Sequence, residues 1–281
     1  MGKSLKFKIL YIFMVLIFLT FALVPILWTF VLSITPEVEI TKNTSQIITS
    51  HPILENYLEL FNPQSEAFKT IIPAILNSVK MASLSILIGL PIATITAYSF
   101  YRYKFIGKKI LFFLIIITMV IPVFTTIIPI YAFFARNSML NNFFWTAIIY
   151  VSAFIPLTTW MIYSYLKSLP YEVIEAAMMD GASEIRVFFE TILPMSRPIL
   201  ITGVLITFLM SWSQYQIPML LTTTQNKKVI TLVMQDFQGR YTIKYGLIAA
   251  SGILTIIPPA IIAIYFRKFL VSGVTSGAMK G

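Results

Sequence analysis

The sequence Glu175-Ala176-Ala177-Met178-Met179-Asp180-Gly181, followed further on by Leu193-Pro194, lies in a polar stretch of the chain. Long apolar runs flank it at 143–166 and 198–220, and each is long enough to cross a bilayer as a helix. The polar stretch holds five of the eleven acidic residues, which are Glu172, Glu175, Asp180, Glu184 and Glu190. A compact acidic segment between two spans indicates a surface that the protein presents to a partner.

The composition predicts a membrane protein. The chain has 281 residues, of which 58% are hydrophobic and only 11% charged, whereas about a quarter of a soluble domain is charged. The apolar runs lie at 9–34, 71–100, 110–134, 143–166, 198–220 and 245–266. A helix of about 23 residues is about 35 Å long, enough for a bilayer core of about 30 Å. We therefore predict an all-α membrane protein, a single transmembrane domain over 1–281 with six transmembrane helices.

The distribution of basic residues predicts the orientation of the chain. Six spans place both termini on one side, and 13 of the 21 lysines and arginines lie on that side. Because cytoplasmic loops carry the excess of positive charge, both termini and the loop at 168–197 are predicted to be cytoplasmic. The same bias explains the net charge of +10 without a nucleic-acid partner.

The first half of the 168–197 loop has the signals of a short helix. Ser168 is a candidate N-cap and Pro170 suits the start of a helix. Residues 171–179 are good helix formers, and Gly181 can adopt the positive φ that ends a helix. One face of this helix carries apolar side chains, namely Val173, Ile174, Ala177 and Met178.

The second half of the loop predicts another helix, so that the loop forms a helix-turn-helix. Ser183 is its candidate N-cap, Pro194 is expected to close it, and Pro198 opens the fifth span. Its apolar residues follow the i, i+3, i+4, i+7 pattern, at Ile185, Phe188, Phe189 and Ile192. Such short helices are marginal alone, so their apolar faces are buried either against the chain's own helix ends or in a partner's groove. The spacing favours neither alternative.

Several kinds of chemistry have no visible residues. The sequence has no cysteine and no G-x-x-x-x-G-K-[ST], H-E-x-x-H or G-x-S-x-G motif. No acidic residue lies within the six runs, where an ion-coupled transporter usually carries one. The single histidine, His51, precedes a proline in an external segment and is interpreted as a surface residue. These observations disfavour a membrane enzyme, a metal site and a secondary transporter; a stand-alone channel would not need the ordered loop.

The fifth run contains polar residues that are costly against lipid. They follow one another as Ser211, Trp212, Ser213, Gln214, Tyr215 and Gln216. We predict that Ser211, Ser213, Gln214 and Tyr215 line a solute pathway. The alternative is hydrogen bonding between helices, with Trp212 and Tyr215 in an aromatic belt.

Prolines within the spans, such as Pro122, have two interpretations. They are either kinks that neighbouring helices accommodate or hinges for gating.

The loop resembles the signature of bacterial ABC-importer permeases, which reads EAA, three residues, Gly, nine residues, an aliphatic residue, any residue, and Leu-Pro. The matching residues are Glu175, Ala176, Ala177, Gly181, Leu193 and Pro194. Thr191 stands at the aliphatic position, with Ile192 beside it. Asp180-Gly181-Ala182-Ser183, Ser196-Arg197-Pro198, Ser211-Trp212 and the ending Gly273 to Gly281 resemble the carbohydrate-uptake subgroup, of the maltose-permease G type. Gln214 replaces an acidic residue that is usual in that subgroup.

The resemblance implies a subunit of the bacterial inner membrane that is not an enzyme and works in a larger complex. The implied partners are a second permease subunit, two ATPase subunits that use ATP and Mg, an extracytoplasmic solute-binding protein, and membrane lipid. The chain itself binds no cofactor. The helix at 171–181 would be the coupling helix, with Glu175 paired to an ATPase arginine, Ala176 and Ala177 allowing close approach, and Gly181 setting the turn. The implied coupling set also includes Met178, Asp180, Leu193 and Pro194, and the terminus through Gly281 would reach the ATPases. The solute is predicted to be a sugar, or alternatively a polyol or a glycerol phosphate.

Overall fold

The computed structural model describes residues 5–42, 48–49, 51–236 and 244–278, and within these ranges the chain forms helices and no strand. The helices in chain order are α1 Leu5–Ser33, α2 Glu37–Thr41, α3 Glu55–Phe61, α4 Glu66–Arg102, α5 Lys108–Ile117, α6 Val123–Arg136, α7 Phe143–Leu166, α8 Glu172–Met179, α9 Glu184–Arg186, α10 Leu193–Met195, α11 Arg197–Trp212, α12 Gln216–Leu221, α13 Ile230–Asp236 and α14 Tyr245–Ala278. Short 3₁₀ turns lie at Thr118–Val120 and Gln225–Lys227, and a π-helix lies at Val187–Ile192.

Four stretches of helix are long and apolar enough to cross a membrane. They are Lys6–Ser33, Glu66–Arg102, Phe143–Leu166 and Tyr245–Arg267. Two bent pairs bring the number to six if each pair is one span. These are Lys108–Val120 with Thr125–Arg136, at 93°, and Glu184–Met195 with Arg197–Trp212, at 73°. The chain is therefore an all-helical, multi-pass membrane protein with four to six candidate spans by length and composition.

Two of the apolar runs are interrupted helices, where the hydropathy pattern suggested continuous ones. The run at 110–134 breaks at Ile121, which is extended (φ −69°, ψ 118°) directly before Pro122. The proline ring disfavours helical geometry in the residue before it, so the sequence itself carries this break. The run at 198–220 breaks after Trp212, and helix resumes at Gln216.

The structure divides into two compact units, of which the larger comprises 74–232 with 258–281. One apolar core cluster in this unit surrounds the fully buried Tyr150 and includes Met81, Phe154 and Leu221. A second cluster joins α4, α7, α11 and the 168–197 loop. Its buried members are Ala93, Ala97, Tyr98, Ile162, Leu166, Ile174, Val187, Ile192 and Ile199. The loop is thus folded onto the ends of the long helices in this unit.

The segment after α12 is held in place through its backbone. Asn141, in the left-handed conformation with φ 58°, accepts hydrogen bonds from the N–H groups of Thr223 at 2.7 Å and Thr224 at 2.9 Å. The Asn77 amide donates to the carbonyls of Asn226 and Lys228 at 3.0 and 2.9 Å. This polar turn therefore has a defined conformation in the structure.

The smaller unit comprises the chain before Ala74 together with Val233–Ile257. Tyr57 and Asn56 of α3 bind the end of α1, through the Ser33 hydroxyl at 2.7 Å and the Ser33 carbonyl at 3.0 Å. The middle of α1 is apolar and exposed along its length, as expected for a helix that faces lipid or another subunit.

Candidate functional site

The first helix of the loop, α8, begins at Glu172 and has no side-chain cap. The prediction that Ser168 caps it was wrong: the Ser168 hydroxyl donates to the carbonyl of Tyr165 at 2.7 Å. That carbonyl belongs to the last turn of α7, where backbone carbonyls have no hydrogen-bond donor within the helix. Ser168 therefore caps the end of α7 and not the start of α8. Pro170 lies two residues before α8, and its carbonyl accepts the N–H of Val173 at 3.4 Å.

The end of α8 is a Schellman turn built on Gly181. As predicted, Gly181 has a positive φ, +82°. The N–H of Ala182 donates to the carbonyl of Ala177 at 3.0 Å, and the N–H of Gly181 donates to the carbonyl of Met178 at 3.0 Å, which is the paired bonding of that motif. Because an L side chain rarely adopts this φ, glycine sets the angle at which the chain leaves α8.

The second half of the loop starts as predicted but changes its helical register. Ser183 caps α9, because its hydroxyl accepts the N–H of Arg186 at 3.4 Å. From Val187 to Ile192 the helix is a π-helix, in which hydrogen bonds span five residues. Val187 and Ile192, five apart, are accordingly the buried pair, at 0% and 2% exposure.

The predicted apolar face of this helix was therefore only partly right. Ile192 is buried and the ring of Phe188 lies 4.9 Å from that of Tyr98, but Ile185 and Phe189 are 72% and 58% exposed. A 3.6-residue period cannot describe a segment that contains a π turn. Ile192 is in the core and Thr191 is only half-buried, so the buried aliphatic side chain lies one residue after the position that the signature reserves for one.

The prediction that Pro194 closes the second helix was wrong by one residue. Helix continues through Met195, and the turn falls at Ser196 (φ −85°, ψ 0°) before α11 begins. Pro194 lies at the second position of α10, directly after the π-helix. Pro198 opens α11 in the same manner, as predicted.

The loop divides its side chains between the protein core and solvent. On α8, Ile174 is 1% exposed, and Val173 and Ala177 are half-buried. The exposed residues of α8 and of the turn that follows it include Glu175, Ala176, Met178, Met179 and Asp180. Met179 reaches 88% exposure. The second half of the loop adds the exposed Ile185 and Phe189. Exposed apolar side chains among carboxylates are typical of a surface that binds another protein.

Arg102, at the end of α4, connects the two halves of the loop. Its Nε lies 2.9 Å from Oε1 of Glu184, Nη1 lies 2.5 Å from the hydroxyl of Tyr171, and Nη2 lies 2.9 Å from Sδ of Met178. The Tyr98 hydroxyl donates to the same Glu184 oxygen at 2.6 Å. Burial by itself raises the pKa of the Glu184 carboxyl. The hydrogen bonds from Arg102 and Tyr98 and the charge of Arg102 outweigh that effect, so this pKa lies below its ordinary value.

Sequence reasoning missed this network. Arg102 counted there only as one of the inner basic residues, and Tyr171 only as a good helix former. A weak signal existed, since Tyr98 and Arg102 are four residues apart and therefore share a face of α4. Their partner in a loop more than eighty positions later cannot be read from spacing.

The polar residues of the fifth run surround the break between α11 and α12. The Ser211 hydroxyl is buried, at 4% residue exposure, and has no hydrogen-bond partner in the described structure. Ser213 donates to the carbonyl of Leu209 at 3.0 Å. Gln214 uses Oε1 to accept the N–H of Tyr215 at 3.1 Å, while its carbonyl accepts the Thr231 hydroxyl at 2.8 Å.

Trp212 is the last residue of α11, directly before the break. It is 7% exposed and stacks on Phe208 with ring centroids 5.6 Å apart. In the described part of the chain no group of three histidine, aspartate or glutamate side chains could hold a metal. The final residues through Gly281, for which the sequence suggested a partner contact, lie partly outside the described residues.

Comparison with known proteins gives relatives along the whole chain. It is 30% identical over 283 residues to the trehalose/maltose transport system permease protein MalG of Thermococcus litoralis, with all of both chains covered. It is 30% identical to the galactooligosaccharides transport system permease protein GanQ of Bacillus subtilis, covering 98% of this chain and 96% of the relative. It is 29% identical to the diacetylchitobiose uptake system permease protein NgcG of Streptomyces coelicolor, covering 92% and 84%.

A solved structure has the same fold. A chain of a bacterial ABC transporter that imports the acidic polysaccharide alginate superposes with a TM-score of 0.80 at 20% identity, over 95% of this chain and 99% of that one. The family model described as the binding-protein-dependent transport system inner membrane component matches residues 85–276, which include both the 168–197 loop and the α11–α12 break. The chain belongs to this family of inner membrane transport components.

Proposed function

We propose that this chain forms half of the translocation pathway of an ATP-driven importer for a sugar or sugar-like solute, with its 168–197 loop seated in a partner ATPase. The observation that carries the proposal is the exposed acidic and apolar face of α8, held outward by Ile174 on one side and by the Gly181 turn at its end. The names of the relatives, which refer to maltose, trehalose and galactooligosaccharides, support a sugar. The family consists of transporter subunits, so the chain is not an enzyme.

The proposed assembly contains a second permease subunit, two ATPase subunits that bind ATP and Mg, and an extracytoplasmic solute-binding protein. This chain contributes no cofactor of its own. It crosses the bacterial inner membrane six times as a single domain, with both termini and the loop in the cytoplasm. Four of the six spans are the long helices, and each bent helix pair contributes one more. The second pair supports this arrangement, because its first member, Glu184–Met195, carries the exposed Arg186 and Glu190, which suit an aqueous face.

Within the loop, the proposed ATPase contact uses Glu175, Ala176, Ala177, Met178, Asp180 and Gly181, with Leu193 and Pro194 closing the segment. Glu175 is exposed in the first turn of α8, so it can pair with an arginine of the ATPase. Ala176 is exposed and small, and therefore permits close approach. Ala177 is partly buried against the chain's own core cluster. The loop therefore packs on the chain's own helix ends and also presents an exposed face to a partner.

We propose that the solute passes the α11–α12 break, where Ser211, Ser213, Gln214 and Tyr215 lie. A helix that is interrupted at membrane depth exposes backbone and side-chain polar groups, and such breaks are tolerated where they line a cavity or a pathway. The buried Ser211 hydroxyl without a partner supports this location.

Two measurements test the proposal. In vesicles that contain the complete complex, Glu175→Lys is expected to abolish ATP-driven uptake, because it reverses the charge on the docking face. Glu172→Lys makes the same charge change one turn earlier on α8 and is the matched control. Uptake against a gradient by this subunit alone, or normal ATP-driven uptake by Glu175→Lys, would refute the coupling role. A thermal-shift screen of the cognate binding protein against sugars, polyols and glycerol phosphates identifies the solute class.

A further inference from the structure

The coupling helix α8 needs a stiff attachment if it is to transmit force. It has eight residues, about 12 Å of helix, and so short a helix has little stability of its own in water. Its apolar attachment is centred on one fully buried side chain, Ile174. Val173 and Ala177 beside it are only half-buried. Apolar packing is not directional, so these contacts alone leave the helix able to rock or turn on the core.

Arg102 supplies directional contacts at both ends of α8. Tyr171, directly before the helix, is bound by Nη1, and Met178, in its last turn, is bound by Nη2. These two residues are seven positions apart, which corresponds to about 10 Å along a helix. The guanidinium is planar, with donors in a fixed arrangement, so contacts at both ends fix the direction of α8 as well as its position.

The third donor of Arg102 extends the attachment to the second half of the loop. Nε binds Glu184 at 2.9 Å, and the Arg102 and Glu184 side chains are only 17% and 29% exposed. Tyr98 binds the same carboxylate oxygen from one turn earlier on α4. Both sides of the Gly181 turn are therefore attached to the final turn and a half of one helix.

That helix is long enough to carry a movement across the membrane. α4 runs from Glu66 to Arg102 as one continuous helix of 37 residues, about 55 Å. We propose that Arg102 is the positioning residue through which movement of α8 passes to α4, an inference that rests on the proposed coupling role of the 168–197 loop. The guanidinium acts by its shape, since three partners must be held at once, and not only by its charge.

The test uses the complete complex with its ATPases and loaded binding protein in vesicles, and measures solute accumulated per ATP hydrolysed. Arg102→Lys keeps the charge, but its donors all lie on one nitrogen and cannot match partners that Arg102 binds through three separate nitrogens. The ratio is therefore expected to fall about fivefold or more, the change that corresponds to a loss of about 1 kcal/mol. Tyr171→Phe removes one bond without changing charge and is expected to lower the ratio about twofold to threefold. Co-purification of the ATPases and their basal hydrolysis are expected to be retained, because both variants keep every exposed side chain of α8.

Arg136→Lys, an exposed position outside the loop, is the matched control and is expected to keep the wild-type ratio. A wild-type ratio in both Arg102→Lys and Tyr171→Phe, in a complex that Glu175→Lys still uncouples, would overturn this inference while leaving the proposed function intact. If Glu175→Lys also leaves the ratio unchanged, the proposed coupling surface fails and the inference with it. If Arg102→Lys does not assemble, Tyr171→Phe decides, and a purely structural role for Arg102 predicts no change of ratio there.

Discussion

The carboxylate of Glu37 accepts a hydrogen bond from the backbone N–H of Gly246 at 3.1 Å. Its other oxygen accepts the N–H of Tyr245 at 2.9 Å. These donors belong to the first turn of α14, where backbone N–H groups have no partner within the helix and the helix dipole favours a negative charge. A side chain from α2, more than two hundred positions earlier, thus caps the N-terminus of α14.

Glu37→Ala is expected to destabilise the subunit by about 1 kcal/mol, because it removes a charged cap that serves two backbone donors. The measurement is the melting temperature of the detergent-solubilised subunit. Glu55→Ala, which removes an exposed carboxylate from the first turn of α3, is the matched control and is expected to change the melting temperature less. An equal fall in both variants would show that Glu37 acts as a general surface charge and not as a cap.

Gly181→Ala is expected to lower transport per ATP, because the methyl group strains a residue at φ +82° by about 1–2 kcal/mol. No atom lies within 4 Å of the added Cβ, so the effect comes from the backbone alone. Gly181→Asn is expected to recover part of the loss, since asparagine tolerates this conformation better than other L residues.

Gly107 provides the matched control for this backbone effect. It also has φ +82° with open space around its Cβ, but it lies in the turn before α5. Gly107→Ala is expected to lower the melting temperature about as much as Gly181→Ala while leaving transport per ATP unchanged. A similar loss of coupling in both variants would attribute the effect to general destabilisation.

Local signals in the sequence predicted the turns of the loop well. The φ of Gly181 and the cap at Ser183 follow from the chemistry of single residues and their immediate neighbours. Ser168 was assigned to the wrong helix because a serine between two helices can bond to either end, and only the position of Tyr165 decides. The exposure of Ile185 and Phe189 was not predictable from periodicity, because a π turn changes the period and leaves no mark in the residue pattern.

Contacts between residues far apart in the chain could not be predicted from the sequence either. The Arg102–Glu184 bond and the Glu37–Gly246 bond each join residues more than eighty positions apart, and one sequence carries no spacing signal for them. The fifth run shows the same limit, because hydropathy averaged over 198–220 hides the break after Trp212. Its polar residues were nevertheless the sign that a regular span would be costly there.

The bond between Glu184 and Arg102 predicts a dependence of stability on pH. The folded-state pKa of Glu184 lies below its ordinary value of 4.5, so the ionised form favours the folded state. Its contribution is fully present above about pH 4.5 and is lost as pH falls through the lower folded-state pKa. The difference in melting temperature between the wild type and Glu184→Gln should therefore be constant from about pH 6 to 8 and should shrink below about pH 4.5.

Glu190→Gln is the control for that series. Glu190 pairs with Arg186 at 2.8 Å, but both side chains are 63% exposed, and exposed pairs contribute little to stability because solvent and salt screen them. The difference in melting temperature between Glu190→Gln and the wild type should be small at every pH. A Glu184→Gln difference that grows as pH falls would show that the protonated carboxyl, and not the carboxylate, favours the folded state.

Gln214→Leu is expected to raise the concentration of loaded binding protein or solute that gives half-maximal transport, because it removes an amide from the α11–α12 break, where the solute is proposed to pass. The substitution keeps a side chain of similar length and removes its hydrogen bonding, including the bond to the N–H of Tyr215 at 3.1 Å. Gln64→Leu makes the same change at an exposed turn and should leave half-saturation unchanged. ATP hydrolysed per solute moved should also stay at the wild-type value in both variants, since neither touches the 168–197 loop. Unaltered transport kinetics in Gln214→Leu would remove this residue from the pathway and favour hydrogen bonding between helices as the reason for a polar fifth run.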